Sequence, residues 1–144
     1  MTLKNIDFNI RVVNKQKIDD SVDEIKEEAI GKYSIKNGKI YILYKTTEDN
    51  VENTTIITVE RDIVTVKRSG NVSSVMILDR KKKTEFKYNT MYGIIDVIID
   101  TAKIVNALDE HGGKLRLVYS LTMQGAKVYN DMEVAVWRNI DENI

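Results

Sequence analysis

Near the C-terminus the sequence reads KLRLVYSLTM at residues 114–123, with an apolar side chain at every second position. Successive side chains of a β-strand point to opposite faces, so this alternation predicts a strand with one apolar face. Gln124-Gly125 supplies a turn, and the residues that follow alternate in the same way. Two such strands joined by a short glycine turn predict a β-hairpin. The predicted apolar face comprises Leu115, Leu117, Tyr119, Leu121 and Met123 in the first strand and Val128, Met132, Val134 and Val136 in the second.

The rest of the chain carries the same period of two between turn signals. Asn37-Gly38, the strongest type of short-range hairpin signal, separates residues 33–35 from residues 40–44. Short strands with turns at regular spacing are typical of an antiparallel sandwich or barrel. Because the connections are short and sequential, we predict an all-β fold, an antiparallel meander β-barrel of about 8–10 strands, rather than a Greek-key sandwich. Further runs suited to strands lie at residues 54–59, 63–66, 73–78, 84–88 and 94–105, and the basic turn Arg80-Lys81-Lys82-Lys83 separates two of them.

Residues 18–31 fit two interpretations. Ile18, Val22 and Ile25 have the spacing of one helical face, and Ser21 with Glu24 has the spacing of a capping box. Gly31 is suited to end such a helix, but it is equally suited to a bulge or bend in a strand. The local signals favour neither the helix nor the strand.

Composition excludes several classes of protein. The chain has 144 residues, and 22 basic and 22 acidic side chains give a formal net charge of zero. A nucleic-acid-binding protein usually has a basic excess, so we expect no nucleic-acid partner. The absence of Cys excludes disulfides, thiol catalysis and zinc ribbons. His111 is the only histidine and lies in a polar turn, so we expect no metal site and no cofactor.

The sequence also bears on domain organisation and location. Pro is absent and Gly occurs seven times, so no flexible linker divides the chain, and we predict one domain over residues 1–144. Residues 1–8 alternate polar and apolar side chains and lack the apolar run of about 7–15 residues that a signal peptide needs. No segment approaches the roughly 20 apolar residues that span a bilayer. We therefore expect a cytoplasmic protein with no membrane partner.

Acidic residues form two groups that could suggest glycosidase catalysis or calcium binding. Asp96 and Asp100 lie on one face of a predicted strand, about 13 Å apart at about 3.3 Å per residue. Glycosidase carboxylates need a separation of about 5–9.5 Å, so this pair does not fit that chemistry. The acidic group between Asp19 and Glu28 lacks the central Gly of a calcium-binding loop and is interpreted as a solvated face. With no catalytic constellation in the sequence, we expect that the protein is not an enzyme.

Several segments, in order along nearly the whole chain, together resemble the DUF1934 family of bacterial proteins of unknown function. One departure is Met91 in Thr90-Met91-Tyr92-Gly93, where the family pattern usually has Pro. The resemblance rests on Tyr33, Asn37-Gly38-Lys39-Ile40-Tyr41-Ile42-Leu43-Tyr44, Val66-Lys67-Arg68-Ser69-Gly70, Met76, Tyr88-Asn89-Thr90-Met91-Tyr92-Gly93, Asp100-Thr101 and Gly112-Gly113-Lys114-Leu115-Arg116-Leu117-Val118-Tyr119-Ser120-Leu121.

The resemblance implies a calycin-like, or lipocalin-like, β-barrel and brings no activity or catalytic residues with it. For residues 18–31 it favours a turn near residues 14–22 and a strand over about residues 25–36. It also places Arg68, Tyr88 and Tyr92 in family-like segments near a barrel mouth. These three residues are our candidates for ligand binding.

Two functional hypotheses follow from a barrel of this size. About eight strands are just wide enough either to hold one small ligand or to fill with side chains. The first hypothesis is a module that binds a small apolar or amphipathic molecule. The second is a protein–protein interaction module or homodimeric scaffold whose interior is fully packed. An enzyme is the third and least supported hypothesis.

Overall fold

The computed structural model describes residues 7–139, except for the side chain of Thr90. These residues form ten β-strands and no helix, so none of their segments is a helix able to cross a membrane. We predict a cytoplasmic location partly from residues 1–8, and residues 1–6 of that segment lie outside the described residues. The strands are β1 (Phe8–Ile18), β2 (Ser21–Lys36), β3 (Lys39–Glu48), β4 (Val51–Glu60), β5 (Ile63–Ser69), β6 (Ser74–Asp79), β7 (Thr84–Thr90), β8 (Gly93–Asp109), β9 (Gly112–Met123) and β10 (Ala126–Arg138).

The ten strands form one antiparallel sheet that curls into a nearly closed barrel. Their order is β6-β5-β4-β3-β2-β1-β10-β9-β8-β7, so strands adjacent in sequence are adjacent in space, and the first strand pairs with the last. β6 and β7 are the two ends of this order and meet at a seam. No ladder of backbone hydrogen bonds joins these two strands within residues 7–139. The Thr84 hydroxyl donates a hydrogen bond to the Ile77 carbonyl across this seam. The predicted antiparallel meander barrel is therefore confirmed.

Tight turns with positive φ produce the sequential strand order. Asn37 and Gly38 have φ values of 55° and 77°, and Gln124 and Gly125 have values of 49° and 82°. Two consecutive residues with positive φ are typical of the type I′ turn, whose twist matches that of a hairpin. Both predicted hairpins are confirmed, and their turns need no Pro.

Residues 21–36 form a strand, so the helical interpretation of residues 18–31 is wrong. Asp19, with a φ of 52°, begins the turn from β1 to β2. The apolar residues with helical spacing do not form a buried stripe, because Val22 is 65% exposed and Ile25 is 48% exposed. Instead, β2 pairs with β1 continuously from Ser21 to Gly31.

Gly31 marks a close approach rather than a bulge. The pairing of β2 with β1 shows no register shift at this residue. A Cβ atom here would lie 2.2 Å from the Leu43 carbonyl oxygen and 2.7 Å from Cδ1 of Ile10. Glycine is thus needed where β2 leaves its pairing with β1 and starts to pair with β3 at Lys32.

One end of the barrel is filled by the inward side chains of almost every strand. Phe8 packs edge-on against Tyr33 with the ring centroids 5.1 Å apart, and the Tyr33 hydroxyl donates a hydrogen bond of 2.7 Å to the Asp109 carbonyl. Aliphatic side chains fill the space beneath these rings. The core of this end includes Ile10, Val12, Ile40, Ile42, Ile57, Val59, Val64, Val66, Leu78, Leu115, Leu117, Val134 and Val136.

The barrel wall opens between β2 and β3. Their ladder runs from Lys36–Lys39 to Lys32–Leu43 and stops there within the described residues. Beyond that point β2 continues along β1, and residues 44–48 of β3 continue along β4. The two strands therefore diverge and leave a lateral opening toward the second end of the barrel.

Candidate functional site

The inner face of the barrel changes from apolar to polar toward this second end. On β1, the buried Ile10 and Val12 are followed at the next two inward positions by Asn14 and Gln16. Alternate residues of a strand face the same side, so these amides point into the barrel as the aliphatic side chains do. The residues at this end do not fill the interior, and they surround a cavity of about 560 Å³.

The cavity has two chemically different walls. Polar side chains come mainly from β1 to β5, and apolar side chains come mainly from β6 to β10. Because the barrel is nearly closed and neighbouring strands follow the chain order, these two sets of strands form two successive arcs of its wall, and their inner faces lie opposite each other. The polar wall includes Asn14, Gln16, Glu27, Asn53, Arg68 and Asn130, and the apolar wall includes Met76, Phe86, Leu121, Met123 and Met132.

A charged cluster lies on the polar wall where β2 and β3 diverge. Tyr44, Thr55 and Arg68 form one row across β3, β4 and β5, because each is paired with the next in the ladders. Glu27 points inward because it pairs with the inward-facing Val12. Its carboxylate accepts a hydrogen bond of 3.0 Å from the Tyr44 hydroxyl and lies 3.6 Å from Nη2 of Arg68.

Three amides form a second polar group beside this cluster. Nδ2 of Asn14 and Nε2 of Gln16 both donate to Oδ1 of Asn130, at 3.1 and 3.0 Å. The Asn130 amide in turn donates to the Val128 carbonyl at 3.2 Å. Oδ1 of Asn14 is buried and has no hydrogen-bond donor among the described residues. The polar wall thus contains a buried hydrogen-bond acceptor that these amides do not satisfy.

Tyr119, which lines the cavity, and Tyr44, which contacts Glu27 beside it, remain neutral hydrogen-bonding groups at ordinary pH. Burial raises the pKa of Tyr119 to about 12, although the positive charge of Arg68 opposes the shift. Burial and the negative charge of Glu27 raise the pKa of Tyr44 still further. Desolvation disfavours the phenolate, which explains both directions.

The three candidate binding residues occupy different positions. Arg68 and Tyr88 both line the cavity, on β5 and β7 respectively. Tyr92 lies in the turn between β7 and β8, is 92% exposed and is not among the described residues that line the cavity. A role of Arg68 and Tyr88 in binding stays a prediction, and the geometry separates Tyr92 from them.

Glu27 corrects the interpretation of the acidic segment as a wholly solvated face. Its acidic neighbours between Asp19 and Glu28 are exposed, whereas Glu27 is half-buried and lines the cavity. Sequence reasoning also missed Asn14, Gln16 and Asn130. The available signal was a polar residue at an inward position of a strand whose other inward residues are apolar.

The remaining acidic residues and His111 lie outside the cavity. Asp96 and Asp100 are exposed on the outer face of β8, as their alternation predicts. His111 is exposed in the turn before β9, and its Nε2 lies 3.5 Å from the Glu110 carboxylate. No group of three potential metal ligands occurs within residues 7–139.

Comparisons with known proteins agree with this architecture. A relative from Bacillus subtilis (strain 168), described as "Uncharacterized beta-barrel protein YwiB", is 30% identical over 104 residues, which is 72% of this chain and 73% of the relative. The crystal structure of the ywiB protein from Bacillus subtilis matches with a TM-score of 0.84 and 23% identity, over 94% of this chain and 93% of that chain. That likeness shows the same barrel fold. The family model described as "Domain of unknown function (DUF1934)" matches residues 10–133, and the chain therefore belongs to the DUF1934 family.

Proposed function

We propose that this protein is a non-catalytic binding module for a small amphipathic molecule. The observation that carries the proposal is the cavity of about 560 Å³ with one polar and one apolar wall. Small-molecule sites typically enclose about 300–1,000 Å³ and combine an apolar lining with a few polar groups. A molecule with a polar end and an apolar end matches both walls at once.

The lateral opening between β2 and β3 supplies a route to the cavity. A second void of about 480 Å³ lies between residues 26–30 and residues 45–48. Glu27, Thr46 and Glu48 line both this void and the cavity. A ligand in this proposal enters through the divergent part of the wall, where no ladder between β2 and β3 has to break.

The second hypothesis, an interaction module or homodimeric scaffold with a fully packed interior, has less support from the geometry. The interior is packed at the end that holds Leu117 and is open at the end that holds Leu121. Formation of a homodimer stays a prediction, as does the cytoplasmic location. In our proposal, the charged side chains of the cavity bind and orient the ligand rather than react with it.

Native mass spectrometry of the full chain after gentle purification tests the proposal. We expect a species heavier than the bare chain by the mass of one small molecule, and the excess mass disappears after denaturation. If the chain carries no such molecule, incubation with decan-1-ol or decanoate should restore a one-to-one complex. A chain that stays bare under all these conditions contradicts the proposal, and a bare dimer favours the interaction module.

A further inference from the structure

Arg68 has hydrogen-bonding capacity that the protein does not use. Its ion-pair partner is Glu27, whose Oε1 lies 3.6 Å from Nη2, and this exceeds the distance of a normal hydrogen bond. Its Nε is buried and has no acceptor among the described residues. A guanidinium is always charged and presents its N–H groups as a planar fork. The fork of Arg68 is therefore incompletely occupied.

Arg68 is also the only cationic side chain among the described residues that line the cavity. Its charge interacts with the hydroxyls of Tyr44 and Tyr119. It lowers the pKa of both groups, whereas burial raises it. The phenol of Tyr119 stays neutral and can donate a hydrogen bond beside the guanidinium, whereas the hydroxyl of Tyr44 already donates to Glu27. A positive charge with a neutral donor beside it is an arrangement that recognises an anion.

Glu27 is the resident counter-ion of Arg68, and it has another way to stay solvated. Its side chain is 25% exposed and lines the lateral opening as well as the cavity. It also keeps the hydrogen bond from the Tyr44 hydroxyl. The carboxylate can therefore lose its long contact with Arg68 and remain solvated through the opening. Another anion can therefore replace Glu27 beside Arg68.

On these observations we propose that the cavity binds an acidic amphiphile, whose carboxylate or phosphate head group replaces Glu27 at Arg68. The inference rests on the proposed function and names the chemistry of its ligand. The head group pairs with the guanidinium fork, which suits both carboxylate and phosphate. The apolar chain lies against the opposite wall, where Phe86, Leu121 and Met132 are available. No covalent step is involved.

The test compares three probes that share one alkyl chain: decanoate and decyl phosphate, each below its micelle concentration, and decan-1-ol below its solubility limit. Binding is measured by isothermal titration calorimetry on the full-length chain. We expect the native protein to bind at least one acidic probe about tenfold or more tightly than the alcohol, as a charge-assisted hydrogen bond requires. Whichever of the two acidic probes binds more tightly identifies the preferred head group as carboxylate or phosphate.

Arg68→Gln should remove the preference for the acids and leave the affinity for decan-1-ol unchanged. Lys67→Gln is the matched control, because Lys67 is the preceding residue of β5, has the same charge and is exposed. This control should keep the native preference. Circular dichroism and a cooperative unfolding transition establish that each variant is folded.

Glu27→Gln should increase the affinity for the acidic probes, and damage to the fold would not produce an increase. Removing the competing negative charge should raise the affinity for the acidic probes about threefold or more, while the amide can still accept the hydrogen bond from Tyr44. If Arg68→Gln keeps the preference, or if the native protein binds the alcohol as tightly as both acids, the head-group assignment is overturned and the amphipathic cavity stands. If none of the three probes binds, the proposed function itself is contradicted.

Discussion

The two ends of the barrel are built by the same strands with the same alternation, yet one is packed and the other is hollow. On β9, Leu117 is fully buried in the packed end, whereas Leu121, four residues later on the same face, lines the cavity. On β1, Val12 belongs to the packed end and Asn14 to the hollow one. The period of a strand therefore fixes which side chains face inward, and the identity of those side chains determines whether the interior closes.

Truncation of the two leucines of β9 should affect the unfolding free energy very differently. Leu117→Ala should cost about 2–5 kcal/mol of unfolding free energy, because it leaves a new void in a close-packed core. Leu121→Ala should cost about 1 kcal/mol, because this side chain already borders empty space and is only partly buried. Urea denaturation of both variants measures the difference. Equal losses would contradict the division of the barrel into a packed and a hollow end.

The next effect concerns Tyr119, which lies between the two leucines. Its pKa is raised to about 12 in the folded state, above the value near 10 of an unfolded chain. Its contribution to stability is therefore complete below pH 10 and is lost as the pH rises through 12. At 1.36 kcal/mol for each pH unit, the loss approaches about 2–3 kcal/mol.

Unfolding free energies measured between pH 8 and pH 12 test this expectation. Tyr119→Phe should flatten the alkaline decline, because the phenol that ionises on unfolding is gone. Arg68→Gln should shift the spectrophotometric titration of Tyr119 to still higher pH, since the opposing positive charge is removed. An alkaline profile that is identical in the native protein and Tyr119→Phe would show that this hydroxyl is not buried.

Gly31→Ala should destabilise the barrel at the boundary between its packed and hollow ends. The new Cβ would meet the Leu43 carbonyl oxygen at 2.2 Å, and this oxygen belongs to the backbone and cannot rotate away. We expect a loss of about 1–3 kcal/mol, typical of overpacking. Gly38→Asn is a suitable control, since nothing lies within 4 Å of that site and Asn tolerates its φ of 77°. The unfolding midpoints of the two variants should differ clearly.

The smallest effect is expected on the outer wall. Arg116 donates hydrogen bonds of 3.0 and 2.8 Å to Asp131, which holds the pKa of that carboxyl below its usual value. Such a group stabilises the fold above the unfolded pKa near 3.9, and its contribution fades as the pH falls through the lower folded value. Both side chains are more than one-third exposed, so solvent screens the pair.

Asp131→Asn should therefore lower the urea midpoint only slightly at pH 7, and the difference from the native protein should shrink as the pH falls below the usual pKa of the carboxyl and through its lowered value in the folded state. A loss at pH 7 as large as that of Leu117→Ala would mean that the exposed pair matters as much as the packed core.

Local signals predict most of the strands because each hairpin is specified by neighbouring residues. The alternation of residues 114–123 and the Gln124-Gly125 turn fix β9 and β10 without information from distant parts of the chain. The same holds for the hairpin at Asn37-Gly38. For residues 18–31 local spacing was ambiguous, since pairing with β1 overrides the weak helical pattern.

The candidate site was less predictable because it depends on registers that combine over several strands. Glu27 faces inward only because the turn after β1 sets it opposite Val12. Arg68 meets Tyr44 because two successive hairpin registers place both beside Thr55. The divergence of β2 from β3 has no local signal except Gly31. Aligning the hairpins by their turns would have predicted the row from Tyr44 to Arg68, but not the cavity beside it.

If the hollow end of the barrel is the binding site, filling it with a bulky side chain should abolish binding. Leu121→Trp places an indole in the cavity, and Ile77→Trp places the same ring on the outer face of β6, where Ile77 is 42% exposed. The fluorescent amphiphile 1-anilinonaphthalene-8-sulfonate is titrated into both folded variants and into the native protein. We expect Leu121→Trp to lose at least about tenfold in affinity and Ile77→Trp to match the native protein. Native affinity in folded Leu121→Trp would contradict the account, because the amphiphile would then bind elsewhere.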